Sequence, residues 1–159
     1  MSKTIFVKGD LLDLAEKREF DIIVHGCNCF NIMGGGIAYA IAKKYPQAKL
    51  VDSDTIRGNR EKIGTFTISK AFSKNLNSSF FIINAYTQFS PSRGEDVFEY
   101  EAFDRILNQL AESYPFSRFG FPLIGCGLAG GNKERILNQI EEFANKIQGT
   151  VTVVEWDKN

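Results

Sequence analysis

Residues 21–44 read DIIVHGCNCFNIMGGGIAYAIAKK, and three signals in that stretch decide the fold. Ile22-Ile23-Val24 is a run of β-branched residues, as expected of a strand covered on both faces, so Asp21 to His25 is predicted as a strand. Glycines 34 to 36 follow, and Ile37 to Lys44 then reads as a helix that ends before Pro46. Strand, glycine loop and helix in this order make a repeating unit of an α/β fold.

The alternation continues on both sides. Thr4 to Lys8 reads as a strand stopped by Gly9-Asp10, Gly64 to Ala71 alternates through Phe66 and Ile68, and Phe80 to Ile83 is another buried run. Ser, Pro and Gly between Phe89 and Asp96 predict a loop. From Val97 to Tyr114, Phe98, Ala102, Phe103, Ile106, Leu107 and Leu110 recur at helical spacing. Phe119 to Ile124 is a predicted strand, broken by the glycines at 125 to 131. Ile136, Ile140, Phe143, Ala144 and Ile147 mark a last helix, and Thr150 to Glu155 a closing strand. The expected fold is an α/β sandwich around a mixed, buried sheet, in one domain covering residues 1–159.

Composition limits the function classes. Nineteen basic residues balance nineteen acidic ones, so there is no net field to capture nucleic acid or an anionic membrane. Fourteen Phe, five Tyr and one Trp suffice for a sizeable core. No apolar run approaches the roughly 20 residues of a spanning helix, and MSKTIFVKGD has no signal-peptide core, so a cytosolic protein is expected. Three cysteines, two of them one residue apart, make no disulfide framework.

Two glycine clusters, at 34 to 36 and 125 to 131, fall at strand–loop–helix junctions, where backbone N–H groups can turn toward a ligand. A helix start adds unpaired donors and a positive dipole end, which suit phosphate. The plain alternative is that the glycines only make turns and caps. Neither cluster fits the Walker pattern, since Ile37 follows Gly36, and the dinucleotide fingerprint fails because only Gly9 follows the first strand. His25 is the sole histidine and stands at a strand end beside the first cluster. It suits acid–base work or a phosphate contact, or else a half-buried structural role. Asn28 suits a water or ribose contact, or a turn bond to its own backbone. His25, Cys27, Cys29 and Cys126 are four residues that could ligate a metal, but Cys-x-Cys spacing and extended alternation do not converge them, so no metal is expected. Asp10 and Asn132 read as helix caps, with a ligand contact as the alternative for Asp10.

Three motifs carry a resemblance: Val7-Lys8-Gly9-Asp10-Leu11; His25-Gly26-Cys27-Asn28 leading into Met33-Gly34-Gly35-Gly36-Ile37-Ala38; and Pro122-Leu123-Ile124-Gly125-Cys126-Gly127-Leu128-Ala129-Gly130-Gly131. In this order they resemble the macrodomain family over essentially the whole chain, and most closely its ADP-ribose 1″-phosphate phosphatases of yeast and phages. The resemblance implies a three-layer α/β/α fold with a mostly parallel sheet. It implies that Asp10 holds the adenine amino group and the Leu11 backbone a ring nitrogen, with Gly9, Gly26 and Cys27 also among the substrate-binding residues. The backbone of Met33 to Ala38 would wrap one side of the diphosphate and distal ribose, and Ile124 to Gly130 would embrace the other. Asn28 would contact the distal ribose near the 1″ position, and His25 would lie by the group removed.

Departures from the family pattern are also informative. Relatives that work through a lysine adduct carry that lysine near Ile83-Asn84-Ala85, where this chain has none, and an acid where Ala129 stands. Phosphatase relatives often have aspartate where Asn132 stands. The expected activity is hydrolysis of ADP-ribose 1″-phosphate, with His25 or the substrate phosphate as acid–base group, Asn28 and Asn132 orienting water, and no cofactor. The alternatives are a non-catalytic ADP-ribose-binding module, or a hydrolase that frees ADP-ribose from protein or nucleic acid. The expected partner is the small-molecule substrate alone, met by a monomer in the cytoplasm, the host's if a phage encodes it.

Overall fold

The computed structural model describes residues 3–74, 77–91, 97–126 and 129–157. In chain order these form β1 (Thr4–Gly9), α1 (Leu11–Glu16), β2 (Ile22–Cys27), α2 (Gly36–Lys44), α3 (Pro46–Ser53), a 3₁₀ turn (Arg60–Lys62) and β3 (Phe66–Phe72). Then come β4 (Ser79–Tyr86), α4 (Tyr100–Ser113), β5 (Arg118–Phe121), α5 (Lys133–Lys146) and β6 (Thr150–Trp156). The strands make one sheet in the order β1-β6-β5-β2-β4-β3. Every neighbouring pair is parallel except β3 with β4.

Period-two alternation along β2 sorts the layers. Ile22 and Val24 enter a core shared with Phe103, Ile106 and Leu110 of α4 and Ile136, Ile140 and Phe143 of α5. Ile23 points the other way, to Leu11 and Leu12 of α1, Ile41 of α2 and Ala48 of α3. Both faces are covered, which is why the run Ile22-Ile23-Val24 is apolar throughout. The result is the three-layer α/β/α sandwich that the sequence led us to expect. Phe143 sets its ring edge-on to Phe119 and Phe121, at 5.0 and 5.9 Å between centroids. Burying each such ring contributes roughly 1.5–3 kcal/mol.

Several boundaries differ from the sequence reading, each for a local reason. Pro46 ends α2 but also opens α3, which the sequence reading omits; at the first helical position its missing N–H is no loss. The predicted strand 119–124 stops at Phe121, because Pro122 has no N–H for the ladder and Ile124 N turns back to Pro122 O at 2.7 Å. The predicted helix from Val97 begins only at Tyr100. Val97 N instead bonds Ala129 O (2.9 Å) and Glu99 N bonds Thr87 O (2.7 Å), which straps residues 97–99 across two loops.

β2 and β5 are adjacent, yet their carboxyl ends feed helices on opposite faces, α2 and α5. That gap is the topological switch point of the sheet, where open α/β sheets place their ligands.

Candidate functional site

A cleft opens at this switch point, in two lobes that share Gly36, Ile37, Pro122 and Leu123. The inner lobe, about 560 Å³, lies between the loop after β2 and the loop after β5. The outer lobe, about 720 Å³, lies over the ends of β1 and β6.

The inner lobe is built mainly from backbone. Gly35 caps α2 with no side-chain bond, so the first N–H groups of a helix face the lobe with their dipole end bare. Gly36 has φ +57° and nothing within 4 Å of where a Cβ would stand, so it turns the chain into the helix while leaving the lobe open. Across the lobe, Gly125 (φ +73°) lies against the ring of Phe98, where any side chain would collide. The 125–131 loop is closed by Gly131 N to Gly125 O at 2.7 Å. Among the described lining residues of this lobe there is no Asp, Glu, Lys, Arg or His. Burial raises the Cys27 thiol well above its ordinary range, so it is neutral at pH 7.

The outer lobe is lined by the apolar side chains of Leu11, Leu12, Val154 and the exposed Trp156, and among its described residues carries two carboxyl side chains, Asp10 and Glu155. Asp10 caps α1: its Oδ1 accepts from Leu12 N (2.9 Å) and Asp13 N (3.4 Å). Both sequence readings of Asp10 therefore fit one residue, a cap on one oxygen and a place in the lobe wall.

The structure brings Gly26, Cys27, Asn28, Gly34, Gly35, Gly36, Ile37, Ala38, Ile124, Gly125 and Ala129 together around the inner lobe. It brings Gly9, Asp10, Leu11 and Cys126 to the outer one. Four expected site residues lie elsewhere. His25 is wholly buried, on the face of β2 beneath α3, and is not in the cleft wall. Its Nε2 meets Asn84 Oδ1 at 2.6 Å, and burial lowers its pKa to about 4 despite that bond and Asp52. Met33 places its side chain in the core with Ile41. Asn132 caps α5, its Oδ1 accepting from Arg135 N at 2.9 Å, and does not line either lobe; Gly130 also stands outside. Gly127 and Leu128 lie outside the described residues.

Asn28 is in the wall but spends its side chain on the loop. Its Oδ1 accepts from Phe30 N (2.9 Å) and its Nδ2 donates to Ile32 O (2.8 Å), which fixes the turn that leads to the glycines. Thr87, Gln88, Glu155 and Trp156 line the cleft and were not singled out by sequence. All four stand at the carboxyl ends of β4 and β6, where open α/β sheets place their ligands. Among the described residues no three His, Cys, Asp or Glu side chains converge as a metal site.

A family model described as Macro domain matches residues 24–140. An uncharacterised 17.5 kDa protein of Enterobacteria phage T4 is 29% identical over 163 aligned positions, covering 96% of each chain. A protein of Lodderomyces elongisporus named ADP-ribose 1″-phosphate phosphatase is 27% identical, covering 87% of this chain and 92% of that one. Among solved structures, Thermosipho africanus DarTG in complex with ADP-ribose superposes with a TM-score of 0.78 at 18% identity, covering 98% of this chain and 42% of that one.

Proposed function

This chain belongs to the macrodomain family, and from that premise we propose that its cleft binds ADP-ribose and that its substrate is ADP-ribose 1″-phosphate, hydrolysed to ADP-ribose and phosphate. One observation carries the reading: an uncapped helix start in an uncharged glycine lobe adjoins an apolar lobe bearing Asp10. A diphosphate suits the bare N–H groups of α2, and adenosine suits the apolar lobe, with Asp10 Oδ2 free to accept from the adenine amino group. The distal ribose then occupies the inner lobe between Asn28 and Gly125. The full-length similarity to the yeast protein named for this activity supports the choice of substrate.

In the reaction a water oxygen bonds to phosphorus while the bond from phosphorus to the 1″ oxygen breaks. The leaving oxygen takes a proton and becomes the anomeric hydroxyl. His25 is sealed in the core, so the proton lost by water goes to a phosphate oxygen of the substrate itself. The protein's part is positioning and charge stabilisation, with backbone N–H groups of the 34–38 segment facing the phosphoryl oxygens. Asn28 contributes by holding its loop in shape.

A second reading, a module that holds ADP-ribose and cleaves nothing, is favoured by the lack of any ionised side chain among the described residues that line the inner lobe. The same lack of a lysine disfavours release of ADP-ribose from macromolecules by way of a lysine adduct. Purified protein mixed with ADP-ribose 1″-phosphate should release inorganic phosphate, and calorimetry should register ADP-ribose binding. Binding without release would select the module; neither would overturn both readings.

A further inference from the structure

Among the described residues, each polar side chain that lines the inner lobe has a hydrogen-bond partner within the protein, save one. Asn28 uses both ends of its amide within the 28–32 turn. Gln88 donates its Nε2 to Ser90 O at 2.8 Å. The Cys27 thiol turns back to His25, 3.8 Å from Nδ1. Thr87 differs: it lines the lobe, its residue exposure is 0%, and its Oγ1 has no hydrogen-bond partner among the described residues.

Its position is fixed from three sides. Thr87 follows β4 directly, its N–H donates to Cys27 O (3.3 Å), and its carbonyl accepts from Glu99 N (2.7 Å). The hydroxyl lies over Gly26, 2.9 Å from where a Cβ on that glycine would stand, so the absence of a side chain at 26 is what admits it. Buried hydroxyls are normally paired, and one left unpaired in a ligand-sized lobe is a donor waiting for an acceptor.

Resting on the reading of the preceding section, we propose that Thr87 is a substrate-contacting residue whose hydroxyl donates to an oxygen of the distal ribose at the floor of the inner lobe. It makes the site prefer ADP-ribose to ADP, which lacks that ribose. Asn28, the contact expected from sequence, instead holds the loop above.

The test compares ADP-ribose and ADP binding by calorimetry in wild type, T87V and T87S, with melting temperatures measured without ligand. Valine replaces the hydroxyl by a methyl of the same size. T87V should bind ADP-ribose about tenfold more weakly, the usual weight of one buried hydrogen bond, and ADP within about twofold of wild type. T87S, which keeps the hydroxyl, should stay within about threefold for both. Without ligand, T87V should melt no lower than wild type, since the lost group had no partner. Unchanged ADP-ribose affinity in T87V would overturn the proposal, as would equal weakening of both ligands or a markedly lower melting temperature, each of which marks a structural hydroxyl. Wild-type protein that binds no ADP-ribose would instead fail the functional reading, and this contact with it.

Discussion

His25 Nε2 lies 2.6 Å from Asn84 Oδ1 across the paired strands β2 and β4, both side chains wholly buried. Asn84 Nδ2 donates to Ala48 O and Thr67 Oγ1, each at 3.0 Å, so Oδ1 is its accepting end and Nε2 carries the proton. The network continues from Thr67 through the Tyr86 hydroxyl to Asp52 Oδ1 at 2.8 Å. A neutral imidazole is therefore part of the scaffold beneath the cleft.

This fixes a pH dependence. The ordinary pKa of 6.5 is lowered to about 4 by burial. Between these values the unfolded chain binds a proton at His25 that the native protein refuses. Stability is therefore full above pH 6.5, falls by about 1.4 kcal/mol per pH unit below it, and is lower by about 2 kcal/mol at pH 5. Glu16 and Asp21, lowered from 4.5 and 3.8 by hydrogen bonds that outweigh their burial, lose their contribution only at still lower pH. Urea unfolding at pH 7 and pH 5 should show the loss, and a His25→Gln variant should lack it. A histidine ring that titrates near 6.5 in the native protein would contradict the assignment.

The sequence placed the cleft more easily than it placed this histidine. Ile22-Ile23-Val24, the two glycine clusters and the carboxyl-end rule suffice for the sheet and for both walls. His25 falls on the face of Ile23 by simple alternation, but its burial depends on α3, which supplies Ala48 O and Asp52. That helix hides behind Pro46, which reads as a terminator and acts also as an initiator. Asn132 shows a different difficulty: its place before the last helix reads as a cap, which the 2.9 Å bond from Arg135 N bears out, whereas the water-orienting role rests on the resemblance alone.

Gly36 is the position where added bulk should separate binding from folding. A Cβ there meets no protein atom within 4 Å and projects into the shared waist of the lobes. Alanine at φ +57° costs about 1–2 kcal/mol of stability from backbone strain alone. Gly36→Val should destabilise further, because a β-branched residue tolerates positive φ less well than alanine, yet in the folded protein it should reduce ADP-ribose affinity by about a hundredfold or more, since its methyls enter open space where the lobes meet. Melting curves and calorimetry on the Gly36→Ala and Gly36→Val pair would check this. Equal affinity in both variants would show that the ligand lies elsewhere.

Asp10 should separate its two roles in the same way. Asparagine caps a helix about as well as aspartate, whereas alanine loses about 1 kcal/mol. Asp10→Asn should therefore keep the stability of α1, and Asp10→Ala should not. For binding, the carboxylate is an acceptor only and so favours the adenine amino group, while an amide also donates. Asp10→Asn should weaken ADP-ribose about tenfold, and narrow its advantage over the inosine analogue, whose ring carries an oxygen in place of the amino group. An unchanged preference between the two bases would remove Asp10 from base recognition and leave it as a cap.

Salt should matter little to binding. A site that neutralises a diphosphate with Lys or Arg weakens as ionic strength rises, because exposed charge pairs are screened over about 8–10 Å. Here the described lining of both lobes contains no cationic side chain, and its only ionisable carboxyls are Asp10 and Glu155. In the proposed pose the anion is held by short contacts to backbone N–H groups at the start of α2, inside the screening distance. The Kd for ADP-ribose should thus change by less than about twofold to threefold between 50 and 500 mM NaCl. A steep loss of affinity over that range would mean that a basic side chain outside this lining reaches the diphosphate, and Lys133 or Arg135, in the first turn of α5, would be the first to replace with Ala.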